Sequence, residues 1–455
     1  MSIMDFSGKN FLVIGAGISG RAASVVLAGH GGTVTLNDMK AIDTAEQPWP
    51  DVEAAGVQLV FGSQETNLLD GMDVVVPSPV ISPEIPIMKE AVRRGLPIWS
   101  EVEVACRVTD ADVIGITGTN GKTTTTTLVG EIMKATGRQT VVGGNIGYGL
   151  STQADNLPKE AVVVAELSSF QLEFTHSIKA KAATILNITP DHLDRHHTME
   201  GYAAAKERIF LNQDKGDYAV LNYDDERVRA MAGDMTGTVV YFSTCGEVPE
   251  GAFYQDGQLI LRLQGRDTVV CAETDLHLFG KHNIQNCLAA ILLTYAAGAP
   301  LDVIRQVLKD FKGVEHRLEK VRTLHGVTYY NDSKGTNVDA SMKALEAFPQ
   351  GHLILIAGGY DKMTPLDDFM ALAAKRVDTL ILIGDAAERF EAAAKKAGIQ
   401  DIRRTGYSME GAIMLARKIA KAPQAVLLSP ACSSFDMYDN FEQRGRVFKG
   451  IVNAI

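Results

Sequence analysis

The stretch from Asp112 to Thr127 reads DVIGITGTNGKTTTTT. A β-branched apolar run, Val113 to Ile116, feeds a glycine-rich turn, and a run of hydroxyl residues then opens a helix. Gly118 and Gly121 let backbone N–H groups of Thr119, Asn120 and their neighbours converge on an anion. The helix N-terminus adds its positive end, Lys122 adds a mobile cation, and Thr123, followed by Thr124, can offer a hydroxyl to Mg²⁺. The spacing is G-x-x-G-K-T, a departure from the common G-x-x-x-x-G-K-[ST] loop. A bare Gly/Thr turn would reproduce part of it, but strand, Gly-Lys-Thr and helix together point to a nucleoside triphosphate site with Mg²⁺.

A second glycine turn, Gly15-Ala16-Gly17-Ile18-Ser19-Gly20, follows the strand pattern Phe11 to Ile14 and precedes a helical run. A further strand, Thr33 to Leu36, ends at Asn37-Asp38. This is the dinucleotide-fold fingerprint with its acid about twenty residues on, and it asks for a pyrophosphate and a ribose without specifying NAD. The apolar run Ala161 to Ala165 ends in Glu166, where a strand tip would present a carboxylate to the metal opposite Thr123. Ala182 to Ile188 leads into Thr189-Pro190-Asp191-His192-Leu193-Asp194-Arg195-His196-His197. Zinc is conceivable there, but His196 and His197 read as spare loop histidines, and His192, nearest the strand end, is the stronger candidate. Lys206, in an Ala-rich helix, reads on its own as a solvated lysine. Asn283 and Asn286, three apart on one helical face, could read a base edge or cap their helix.

The elements that must position these groups fall into three α/β regions. With 455 residues, 46% hydrophobic and 22% charged, the chain is long enough for several cores. Boundaries are expected near Ser100 and Gly313, giving regions 1–100, 101–313 and 314–455. The last region has strands Val327 to Tyr330, Leu353 to Ala357, Thr379 to Ile383 and Ala425 to Leu428, each ending in a polar or glycine-rich tip. A formal net charge of −11 argues against nucleic acid as a partner. Five cysteines without a C-x-x-C pair suggest a reducing cytoplasm, and no stretch is long and apolar enough for a membrane span.

The ordered set Gly118–Thr123, Glu166-Leu-Ser-Ser-Phe-Gln-Leu172, Asn187–Asp194, His282-Asn283, His316-Arg317, Asn331–Lys334 and Gly358-Gly359 resembles the Mur ligase family, ATP-dependent amide-forming enzymes of peptidoglycan synthesis. The likeness spans nearly the whole chain. The first glycine turn and the segment Ser433 to Gly445 most resemble members that add D-glutamate to UDP-N-acetylmuramoyl-L-alanine. The L-alanine-adding members typically have His at the position of Asn120, the diaminopimelate-adding ones a D-N-P-R motif absent here, and folylpolyglutamate synthetases lack the first turn.

The resemblance implies a three-domain fold: an N-terminal Rossmann-like domain, a central P-loop domain and a C-terminal Rossmann-like domain. It implies a monomeric enzyme that forms an acyl phosphate. It puts a carbamylated Lys206 with Glu166, His192 and Thr123 around Mg²⁺, and gives Lys122, His192 and Lys206 the catalytic roles. It places Asn283, Asn286, Arg317 and Asp332 near ATP, with Ile18, Ser19, Asp38 and Asn145 on the uridine nucleotide beside Gly15, Gly17 and Gly20. Lys334, Thr336, Lys362, Ser434, Phe435 and Phe441 would surround D-glutamate. A last domain closing about Gly313 would align amine and acyl phosphate. A dehydrogenase would leave the Gly-Lys-Thr loop without a task, and a bare nucleotide-hydrolysing module would leave the two outer regions without one.

Overall fold

The computed structural model describes residues 5–41, 49–278, 280–348 and 351–455. Their strands form three sheets. The first contains β1 (Asn10–Ile14), β2 (Thr33–Asp38), β3 (Gln58–Phe61) and β4 (Val74–Pro77), all parallel in the order β3-β2-β1-β4. Phe11 and Val13 pack into one apolar cluster with Val26 and Leu27. Leu12 and Ile14 pack into another with Val75 and Met88. Alternate side chains thus enter opposite cores, which is why β1 is uninterruptedly apolar rather than alternating.

The second sheet has nine strands: β5 (Asp112–Thr117), β6 (Thr140–Gly144), β7 (Val162–Glu166), β8 (Ala180–Ile185), β9 (Tyr218–Asn222), β10 (Thr238–Ser243), β11 (Gly251–Gln255), β12 (Gln258–Leu263) and β13 (Arg266–Ala272). Their order is β13-β12-β11-β10-β9-β8-β5-β7-β6. β5 to β11 pair in parallel, and β12 and β13 add an antiparallel edge. β5 lies between β7 and β8, so the loop after it opens between the carboxyl ends of both neighbours, where such sheets bind ligands.

The third sheet runs β14-β15-β19-β16-β17-β18, with β14 (Glu319–Leu324), β15 (Val327–Asn331), β16 (Leu353–Gly358), β17 (Val377–Ile383), β18 (Ile402–Arg404) and β19 (Ala425–Leu428). Only the β14–β15 pair is antiparallel. Leu353, Leu355 and Ala357 face one core, Ile354 and Ile356 the other. The described chain groups into two compact units, one of residues 1–276 with 282–311, the other of 277–281 with 312–455. The first two sheets belong to the former and the third to the latter. Among the described residues, no helix is long and apolar enough to cross a membrane.

Candidate active site

Gly118 (φ +150°) and Gly121 (φ +86°) bend the chain after β5 through backbone conformations that side chains disfavour. Helix Lys122–Ala135 follows directly. Asn187, just beyond β8, clips the loop: its Oδ1 accepts from Asn120 N at 2.8 Å, its Nδ2 donates to Asn120 O at 3.1 Å, and its own carbonyl accepts from Thr119 N at 2.9 Å. Gly121 also faces the helix Lys281–Ala296. A Cβ there would lie 2.4 Å from Asn286 Oδ1, and Asn286 Nδ2 donates to Asn283 Oδ1 at 3.1 Å. Both asparagines are buried within the helix beside the glycine turn.

Two lysines meet on this loop. Lys122 Nζ donates to Gly118 O and to Thr119 O, each at 2.9 Å. Lys206 Nζ donates to the same Gly118 O at 3.0 Å and lies 3.4 Å from Thr117 Oγ1. Lys206 is only 1% exposed, so the solvated reading fails. Its helix, Met199–Glu207, turns that side chain inward, over the Tyr202 ring at 4.6 Å. Burial, and then the positive charge of Lys122, hold its amine well below the usual lysine pKa, with Asp191 opposing.

Glu166 stands at the tip of β7, level with Ile116 of β5, and is 2% exposed. Its Oε1 accepts from Asn145 Nδ2 at 3.0 Å, while its Oε2 is buried with no hydrogen-bond partner among the described residues. Asn145, expected on the uridine nucleotide, therefore also orients this carboxylate. The sharp turn is set by Gly144 (φ +101°), where a Cβ would sit 2.2 Å from Glu166 O.

His192 adopts a left-handed backbone (φ +52°), and its side chain is 46% exposed. Its ring lies 4.7 Å from that of Phe170. His196 is not a spare histidine: Nε2 meets Ser169 Oγ at 2.9 Å and the ring is 5.4 Å from Tyr202, whose hydroxyl reaches Thr119 Oγ1 at 3.2 Å. Burial lowers the His196 pKa and pushes the Tyr202 phenol up to about 12. Neither His196 nor Tyr202 was singled out by the sequence. No local spacing in the sequence marks them, because the hydrogen-bond partner of His196, Ser169, lies 27 positions away and that of Tyr202, Thr119, lies 83 away.

The first glycine turn is closed from several sides. Gly15 N donates to Asn37 O at 2.7 Å, Ala16 N to Asp38 Oδ2 at 2.9 Å and Ser78 Oγ to Gly15 O at 2.9 Å. Asp38, at the tip of β2, thus borders the turn, while Gly17 and Ile18 are exposed. Arg195 ties this region to the histidine segment. It bonds Glu173 and donates to Pro79 O and Ile81 O, both at 3.0 Å.

In the second unit, Asp332 is buried after β15. Its Oδ2 accepts from Ser429 Oγ at 2.7 Å and its Oδ1 from Leu318 N at 3.2 Å, and burial raises its pKa to about 6 against the pull of Arg317. Lys334 N donates to His316 O at 3.0 Å, and its amine lies 5.6 Å from the Phe441 ring. Lys362 Nζ donates to Thr336 O at 3.1 Å. Ser434 is buried and Phe435 exposed in the turn after β19. The six residues expected around an amino acid therefore come from loops at the carboxyl ends of β15, β16 and β19 and from the start of helix Phe441–Ala454.

Residues 116–294 match the family model described as Mur ligase middle domain, and 316–432 that described as Mur ligase, glutamate ligase domain. The chain is 46% identical over 453 residues to a UDP-N-acetylmuramoylalanine–D-glutamate ligase of Desulfitobacterium hafniense, covering 99% of this chain and 98% of that one. It is 43% identical to the enzyme of the same name from Pelotomaculum thermopropionicum, covering 100% and 99%. Among solved structures, a pseudomurein peptide ligase type C from Methanothermus fervidus aligns with a TM-score of 0.60 at 20% identity, covering 98% and 100%. UDP-N-acetylmuramate-alanine ligase from Thermotoga maritima aligns with 0.58 at 19% identity, covering 98% and 99%. The two structures share the fold.

Proposed function

Because the chain belongs to the Mur ligase family, we propose that it is the ATP-dependent amide ligase that joins D-glutamate to UDP-N-acetylmuramoyl-L-alanine in peptidoglycan precursor synthesis. The full-length identity to D-glutamate ligases supports the choice of substrates. The observation that carries the chemistry is the pair of lysine amines on Gly118 O. One is poised to leave the loop for a phosphate, and the other is held buried, where its charge is disfavoured.

In this reading the alanyl carboxylate attacks the γ-phosphorus of ATP, an O–P bond forms, and ADP departs with the electrons of the broken bond. Lys122 exchanges two neutral carbonyls for phosphate oxygens and offsets the charge that gathers in that transfer. The amine of D-glutamate, having given up a proton, attacks the acyl carbon, and phosphate leaves as the amide forms. His192, half exposed with its ring 6.3 Å from that of Tyr202, orients the acyl group or assists proton movement.

The residues present fit Mg²⁺. Among the described residues no three His, Cys, Asp or Glu side chains form a metal-binding group. The open Glu166 Oε2, His192, the Thr123 hydroxyl and a carbamate on Lys206 would together supply a hard, oxygen-rich set. Mg²⁺ held there would neutralise phosphate charge. The carbamate needs a neutral amine: its lone pair adds to CO₂ and a proton is released, turning a cation into an oxygen ligand.

We assign the uridine nucleotide to residues 1–100 with Asn145, ATP to 101–313, and D-glutamate to 314–455, in a monomeric cytoplasmic enzyme. The five free cysteines accord with that compartment. The test is a panel of amino acids assayed for ADP formation with UDP-N-acetylmuramoyl-L-alanine. D-glutamate alone should support turnover, and Lys122→Ala should abolish it. ADP release indifferent to the amino acid, or undiminished in the variant, would sink the assignment.

A further inference from the structure

Arg444 is fully buried, in the first turns of helix Phe441–Ala454. Among the described residues no carboxylate is hydrogen-bonded to it, and its hydrogen bonds go to backbone carbonyls and one hydroxyl. Nε donates to Ser333 Oγ at 3.0 Å and Nη2 to Ser333 O at 2.8 Å. Nη1 donates to Ser433 O at 3.0 Å, and both Nη atoms to Cys432 O at 3.1 Å. Ser433 O also accepts from Tyr360 N at 3.0 Å, which draws in the loop after β16. Ser333 Oγ donates to Phe441 O at 2.8 Å, which closes the circuit onto the helix itself.

Burying a guanidinium against neutral acceptors is costly, and an apolar side chain would fill a core more cheaply. What the planar fork provides is geometry: five N–H groups in one plane fix two segments distant in sequence, 333 and 432–433, against the helix, and Ser433 O passes the restraint on to a third, the loop after β16. Those segments are the ones that carry Lys334 and Thr336, Ser434 and Phe435, and Lys362, while Phe441 lies one helical turn before Arg444. Gly359 completes the fit, because a Cβ there would lie 3.2 Å from Arg444 Nη1 and 2.5 Å from Ser433 O.

We propose that Arg444 is a positioning residue for the incoming amino acid, holding the three loops so that their ammonium and hydroxyl groups are preset for a dicarboxylate. This rests on the assignment of D-glutamate above. Arg444 touches no reacting atom, and its effect is transmitted through the loops.

The test compares the wild type with Arg444→Lys, Arg444→Met and Ser333→Ala at a temperature where each is folded, as judged by melting. Wild-type turnover that depends on D-glutamate judges the functional assignment by itself; the ratios among variants judge the strut. Misplacing a binding group by about 1 Å costs up to roughly a hundredfold. Arg444→Lys, which keeps the charge but not the fork, should therefore raise KM for D-glutamate roughly tenfold or more and leave KM for the uridine substrate within about twofold. Ser333→Ala, a milder change that keeps the fold should the Met variant lose it, should raise the same KM by a smaller factor. Hydrogen exchange should quicken in 331–336, 358–362 and 432–436 and remain unchanged in β18. Full rescue by lysine, equal rises in both KM values, or a fall in kcat alone, the mark of less folded enzyme, would overturn the proposal.

Discussion

The carbonyl of Gly118 receives Lys122 and Lys206 together, and two ammonium groups so placed repel one another. Lys206 is the one that yields, because it is buried, whereas Lys122 keeps partial access to solvent. Its folded pKa lies well below the usual 10.5, so the unfolded chain binds the extra proton. The sign follows: its contribution to stability is present above pH 10.5 and is lost as pH falls toward the folded pKa, below which the penalty is constant. In CO₂-free buffer, Lys206→Met should gain stability relative to the wild type as pH is lowered through that window, as measured by chemical denaturation, while losing activity. With ¹³C-bicarbonate, the wild type should show a carbamate carbonyl resonance that the variant lacks. An unlabelled wild type would contradict the proposed modification. Nothing within the helix distinguishes Lys206 from a surface lysine, since its burial is imposed by Thr117 and Gly118, nearly ninety positions away. The Lys122 loop was legible because its chemistry is local.

At the scale of elements, the turn joining β1 to helix Ile18–Gly29 separates two uses of glycine. A Cβ at Gly20 would lie 1.9 Å from Gly15 O, so the helix can approach the strand only without it. At Gly17 a Cβ would meet nothing within 4 Å. Gly20→Ala should therefore lower stability by about 1–3 kcal/mol, the usual range for overpacking, and weaken the uridine substrate as well. Gly17→Ala should keep its stability and lose affinity only if the ligand approaches the backbone there. Thermal melts paired with binding titrations separate the two; equal destabilisation of both variants would refute the packing account. The strands were legible for a related reason. β1, β7, β16 and β19 are apolar throughout or nearly so because they are covered on both faces, and their polar tips mark the carboxyl ends where ligands gather. The short edge strand β18, with its sequence Ile402-Arg403-Arg404, carries no such signature and depends on its pairing with β17. Arg444 escaped notice for the opposite reason: its partners Ser333 and Cys432 lie in separate loops, and no spacing in the sequence links them.

For the whole molecule, the partition of proposed ligands between the two compact units has a thermodynamic consequence. Every residue assigned to the uridine substrate, from Gly15 to Asn145, lies in the unit of residues 1–276 and 282–311, and every residue assigned to D-glutamate lies in the other. A ligand stabilises only the cooperative unit whose native state binds it, by about 2.7 kcal/mol at a hundredfold excess over Kd. ATP is expected to join the uridine substrate here, since Lys122 and Asn286 belong to the first unit. Calorimetry should thus resolve two transitions. The uridine substrate alone, or an unreactive ATP analogue with Mg²⁺, should raise the one belonging to the larger unit, and D-glutamate alone should raise the other. Transitions are assigned by Gly20→Ala, which must lower the first and leave the second in place. If D-glutamate raised the transition that Gly20→Ala lowers and not the other, its binding residues would have to be sought among 1–276 or 282–311, and the assignment of Lys334, Thr336, Lys362, Ser434, Phe435 and Phe441 would be lost.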